Sequence, residues 1–90
     1  MKPKEKINMM DKILRGLDDL INSQTSVLKK LAQIEAENIN LNDTSLADKL
    51  PDIHGHVDEA LVATTELQLK FKEIHDEFVS NNPIQEEPGS

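Results

Sequence analysis

The sequence of 90 residues has no cysteine, no tryptophan and no tyrosine, and only two phenylalanines. Without cysteine there is no disulfide framework, no thiolate zinc site and no thiol nucleophile. Two aromatic rings leave almost nothing on which nucleic-acid bases or sugars could stack. The three glycines stand apart at positions 16, 55 and 89, so no glycine-rich loop exists to cradle a phosphate. No apolar run reaches the roughly 18 residues of a membrane-spanning helix, and no hydrophobic leader core stands near the N-terminus. The expectations are therefore no cofactor, no nucleic acid, no membrane and a cytoplasmic location.

What the chain does have is charge, unevenly placed. The formal net charge is −7. Residues 1–45 hold seven cations and seven anions, so all of the excess lies in residues 46–90, where Lys49, Lys70 and Lys72 face ten carboxylates. Displacing counterions from a polyanion requires clustered cations, which the second half lacks. The only basic cluster is Lys2, Lys4, Lys6, Lys12 and Arg15 at the N-terminus.

The apolar residues repeat with helical spacing. From about residue 4 to residue 40 a row runs Ile7, Met10, Leu14, Leu17, Ile21, Leu28, Leu31, with Gln24 filling its one gap. The steps of three and four are those of a packed helix seam. A second row, Ile13, Leu20, Val27, Ile34, Leu41, recurs every seven residues beside it. Three apolar positions per heptad exceed what one neighbouring helix can cover.

The stretch Asn40-Leu41-Asn42-Asp43-Thr44-Ser45 is rich in residues that end helices, make turns and start caps. Ser45-Leu46-Ala47-Asp48 resembles a capping box, which predicts a loop or short helix within residues 41–52, because Pro51 disfavours helical geometry at Leu50. A second long helix is predicted over residues 53–80, with Ile53, Val57, Ala60, Thr64, Leu67, Phe71, Ile74 and Phe78 as its seam. Asn81-Asn82-Pro83 ends it, and residues 83–90 read as a disordered tail.

Together these predict a single all-α domain over residues 1–82, a long antiparallel helical hairpin that assembles into a four-helix-bundle or coiled-coil oligomer. Folding back near residue 46 pairs residues whose numbers sum to roughly 92, from the equal rise along both helices. The expected core is Leu14, Leu17, Ile21, Leu28, Leu31, Leu67, Phe71, Ile74 and Phe78. Ile13, Leu20, Val27 and Ile34 are expected at the surface between chains or toward a different partner. The expected partner is protein, most simply a second copy in a dimer.

Catalytic chemistry finds little support. His54 and His56 are the nearest approach to a metal site, but residues two apart point to different sides of a helix. They could share an ion only if the backbone were irregular at Gly55. The plainer reading is two solvated side chains. His54 and His75 share one flank of the seam with Leu61 and Gln68, where either histidine can tune an interface near about pH 6. Carboxylate pairs such as Asp18-Asp19 and Asp58-Glu59 read as a solvated face, since acid–base work needs a desolvated cleft. Gln24 and Thr64 stand as polar members of apolar rows, where they either are tolerated or select register.

In length and plan the chain resembles the small secreted hairpins of the WXG100 type. Leu50-Pro51-Asp52-Ile53 stands where their Trp-x-Gly turn falls. The resemblance is architectural and carries no residue role across. It implies a secreted hairpin that pairs with a dissimilar partner. The same plan suits a phage virion or scaffold component and an assembly chaperone. The first expectation remains a non-enzymatic adaptor, assembly factor or inhibitor that presents a helical face.

Overall fold

The computed structural model describes residues 1–82, and the expected tail over 83–90 lies outside them. Two helices, α1 (Pro3–Leu41) and α2 (Thr44–Asn81), pack side by side as an antiparallel hairpin of 67 × 22 × 17 Å. Pro3 opens α1 at a position where its missing N–H costs nothing, and Glu5 sits in the first turn, where the helix dipole favours an anion. Asn82 closes α2: its backbone N–H donates to the Phe78 carbonyl, and its side-chain Nδ2 donates to the same oxygen at 3.1 Å.

The connection is shorter than the predicted loop or short helix over 41–52. Only Asn42 and Asp43 lie between the helices. Asn42 takes the left-handed conformation (φ 58°, ψ 41°), which asparagine tolerates better than other side-chain-bearing residues, and its N–H bonds the Asn38 carbonyl. Asp43 is extended (φ −78°, ψ 128°) and begins α2 with its carbonyl accepting from the Ala47 N–H at 3.1 Å. Asn38 fastens this turn. It donates from Nδ2 to the Asp43 carbonyl (3.1 Å) and accepts at Oδ1 from the Asp43 N–H (2.9 Å), and its side chain is buried. A residue that reads as an ordinary polar position in the sequence is thus the clamp of the hairpin.

The expected break at Pro51 is corrected. α2 runs through it, so the predicted start at residue 53 moves to Thr44. Pro51 lies two turns into the helix, and its lack of an N–H leaves the Ala47 carbonyl without an intrahelical donor. The helix continues because Leu46 and Leu50 on either side of the gap turn inward, and Leu50 is among the most buried side chains. Packing of these two outweighs a local penalty of about 3 kcal/mol for proline in a helix interior. Pro51→Ala is therefore expected to stabilise the hairpin by about 2 kcal/mol, after subtracting up to about 1 kcal/mol for the freer unfolded chain. Urea unfolding followed by circular dichroism measures this, and an unchanged or lower midpoint contradicts it.

The short turn also resets the register. Asp18 meets Gln68, Asp11 meets His75, and Lys6 lies over the Phe78 ring. The numbers in these pairs sum to about 85, not the predicted 92 or so, a slip of one heptad.

The core is thin. Met10, Leu31 and Leu50 are the buried apolar side chains, with Asn38 and Thr64 the buried polar ones. Thr64 satisfies its hydroxyl on the Ala60 carbonyl at 2.8 Å, so its burial leaves no orphaned group. Leu14, Leu17, Ile21, Leu28, Phe71 and Phe78 are half-buried between the helices. Leu67 and Ile74, expected in the core, are exposed on the outside of the hairpin. The row that faces α1 is instead one residue on: His54, Leu61, Gln68 and His75, alternating with Val57, Thr64, Phe71 and Phe78. The reason is polar. Facing inward, Gln68 donates from Nε2 to Asp18 at 3.3 Å, and His75 reaches Asp11.

Candidate protein-binding face

Three contacts fix how the flanks of the hairpin are arranged. Around a helix at 100° per residue, the row Asp11–Asp18 and the row Ile13–Leu20–Val27 lie on opposite sides of the α1 seam. Asp11 and Asp18 meet His75 and Gln68, so those two rows share one side of the hairpin. On α2 the row Ile53–Ala60–Leu67–Ile74 lies beyond Val57–Thr64–Phe71–Phe78, on the side away from Gln68 and His75. The apolar edge of α1 and the apolar edge of α2 therefore lie side by side on one face. Lys6 confirms the geometry: it stands seven residues before Ile13 in the same row, and its Nζ lies 4.5 Å from the Phe78 ring centroid.

The exposures of this face are uniform. Ile13, Leu20 and Val27 keep 44–46% of their surface, and Ile53, Leu67 and Ile74 keep 45–54%. Ile34, expected with the first group, is half-buried nearer the turn. Gly16 lies on the rim beside Ile13 and Leu20, and nothing stands within 4 Å of where its Cβ would be. Glycine inside a helix costs about 1 kcal/mol against alanine, and nothing within the chain requires it here.

The opposite flank is polar. His75 is its centre: Nδ1 lies 3.0 Å from Asp76 Oδ1, and Nε2 lies 2.7 Å from Asp11 Oδ1, though not aligned to donate to it. Asp76 also pairs with Lys72 at 3.7 Å. The hydrogen bond to Asp76, then the Asp11 carboxylate, raises the His75 pKa above its ordinary value against the opposing effect of burial. Asp76 is correspondingly lowered, first by His75 and then by Lys72. A histidine whose folded pKa is raised stabilises fully below about pH 6.5, its unfolded value, and loses that contribution as pH rises through the folded value. The unfolding midpoint is thus expected to fall between pH 6 and 8, and His75→Gln to flatten that slope. A wild-type midpoint that does not fall across this range contradicts the pairing.

Gln24 sits mid-helix at the level of Leu61, not beside Leu67 and Gln68 as the longer loop implied, and its Oε1 is buried without a partner. An orphaned acceptor of this kind costs about 1–3 kcal/mol.

His54 and His56 are not brought together by the fold. The helix is regular through Gly55, which separates the two imidazoles around the axis, with His54 half-buried and His56 exposed. Among the described residues no cluster of three histidine or carboxylate side chains could hold an ion. At the loop end an open groove of about 350 Å³ is lined by Glu35, Asn38, Ile39, Leu46, Leu50 and Pro51. It offers one carboxylate with no acid–base partner beside it. No helix among the described residues is long and apolar enough to cross a membrane.

Sequence periodicity located the α1 part of this face. It missed the α2 part, because Leu67 and Ile74 alternate so regularly with Phe71 and Phe78 that they read as core. Comparison with protein-family models, curated proteins and solved structures returned no match.

Proposed function

We propose that this chain is a non-enzymatic helical interaction module, an adaptor, assembly factor or inhibitor, that self-associates through its apolar face. The observation that carries the reading is the union of the Ile13–Leu20–Val27 and Ile53–Leu67–Ile74 rows on one side of the hairpin. Scattered exposed leucines are ordinary on a soluble protein, but contiguous apolar patches of this kind mark interaction sites. The three apolar rows of α1 are the pattern of a helix with two helical neighbours, and in one hairpin it has only one. Among the described residues, catalysis has no support from a metal cluster or from a nucleophile paired with a base.

Sedimentation equilibrium over a wide concentration range tests this. The expected mass is twice the 10.1 kDa of the chain. A mass of one chain at every concentration overturns self-association. The virion or scaffold reading draws on Ile39, the most exposed apolar side chain near the turn, which continues the row of Asp11 and Asp18 and so lies outside the face. Growth beyond a dimer with concentration favours that reading over the dimer.

A further inference from the structure

We propose that the face is covered by a second copy of the chain, turned about a twofold axis running along the hairpin, so that α1 of each copy lies against α2 of the other. This rests on the self-association reading and adds the occupant's orientation.

Area is the first argument. From Ile53 to Ile74 the face runs roughly 32 Å at 1.5 Å per residue, across a hairpin 22 Å wide. That is about 700 Å² per copy and about 1,400 Å² in all, inside the range of about 1,200–2,000 Å² for stable specific interfaces. The face is thus large enough for a matching hairpin.

Charge sets the orientation. Two face-to-face arrangements keep every neighbouring helix antiparallel. An axis perpendicular to the hairpin sets α1 against α1 and α2 against α2. An axis along the hairpin sets α1 against α2. The α2 helix carries eight carboxylates against three lysines, whereas α1 carries six of each sign. The perpendicular axis would press two acidic helices together along their length, and like-charge juxtaposition is costly. The longitudinal axis places each α2 beside the balanced α1 of the other copy. It also brings the basic open end of one copy beside the acidic open end of the other, with Lys6, in the row of Ile13, near the level of the partner's Glu77, which borders the row of Ile74.

Side-chain size fits the same arrangement. The observed register places Ile13 within about half a turn of the level of the partner's Ile74, Leu20 of the partner's Leu67, and Val27 of the partner's Ala60. Large meets large toward the open end, and the smaller pair falls toward the turn.

The absence of native cysteine makes the test direct. Chains carrying Leu20→Cys are mixed with chains carrying Leu67→Cys, equilibrated, oxidised and resolved without reductant, with one chain tagged. In parallel, Leu20→Cys chains are mixed with Val27→Cys chains. The expected result is efficient cross-linking of the 20–67 mixture and little of the 20–27 mixture. Efficient 20–27 cross-linking overturns the orientation and leaves self-association standing. A dimer that cross-links in neither mixture also overturns the orientation. A wild-type chain that sediments as a monomer removes the interaction itself. Salt gives a second reading: the proposed dimer weakens several-fold between about 0.05 and 0.5 M salt as complementary charges are screened. A dimer that tightens over that range has its acidic helices together, which overturns the proposal.

Discussion

Leu20→Glu combined with Val27→Glu is expected to convert the proposed dimer to a single-chain species of 10.1 kDa, with a loss in affinity of at least about 1,000-fold, or 4 kcal/mol. The effect is large because both carboxylates would be buried between copies with no cation placed to meet them. Within one chain these positions keep nearly half of their surface, so the substitution leaves the intrachain seam intact. Helix content at high concentration is therefore expected to fall less than the association constant. Ala32→Glu supplies the control. It adds one carboxylate, half the charge of the double variant, to the row of Asp11 and Asp18 on the polar flank, and should leave the mass at two chains. If the double variant sediments like the wild type, the face is not where copies meet. If Ala32→Glu dissociates the dimer as effectively, net charge rather than the apolar face governs association.

Dissociation should also reveal how little holds one hairpin together. The buried apolar side chains are Met10, Leu31 and Leu50, and small domains with cores of this size are marginal alone. Covering the second face would supply the burial that the hairpin seam lacks, so the monomeric variant should melt earlier and with concentration-independent behaviour.

The second large effect is expected at Asn38. Its replacement by leucine should destabilise the hairpin by about 2–3 kcal/mol, from two lost hydrogen bonds and an Asp43 N–H left without a partner. For a domain of this length that is a drop in Tm of roughly 10–20 °C. Asn42→Gly is the companion variant. Glycine adopts the left-handed conformation freely, so that change should stay within a few tenths of a kcal/mol. A loss below about 1 kcal/mol for Asn38→Leu, measured by urea unfolding, would show that the turn holds without the clamp.

Each of these expectations traces back to how much the chain's own pattern decides. Residue spacing alone determined two long amphipathic helices, antiparallel because the polar break between them is short. It also determined that α1 has an apolar row that its partner helix cannot cover, since Ile13, Leu20 and Val27 recur every seven residues whatever the neighbour. The Asn82 end of α2 was legible for the same local reason: Asn81-Asn82-Pro83 can hardly continue a helix.

The tertiary structure alone decided the register and the choice of edge. A heptad pattern slipped by seven residues presents the same rows again, so periodicity is nearly silent on alignments that differ by one heptad. The two-residue turn settled it, and Asn38 holds that turn through a contact between residues whose pairing depends on a single left-handed residue. Pro51 misled for a related reason. Local preference says that a helix ends there, and burial of Leu46 and Leu50 overrides it. On α2 the stripe Leu67–Ile74 and the stripe Gln68–His75 both flank Phe71 and Phe78, and hydrophobicity favours the first as the inner row. Only once Asp18 and Asp11 stand opposite does the second become the inner row, because its polar ends then have partners. The apolar stripe is left outside, next to its counterpart on α1, which is what gives this hairpin a face to offer.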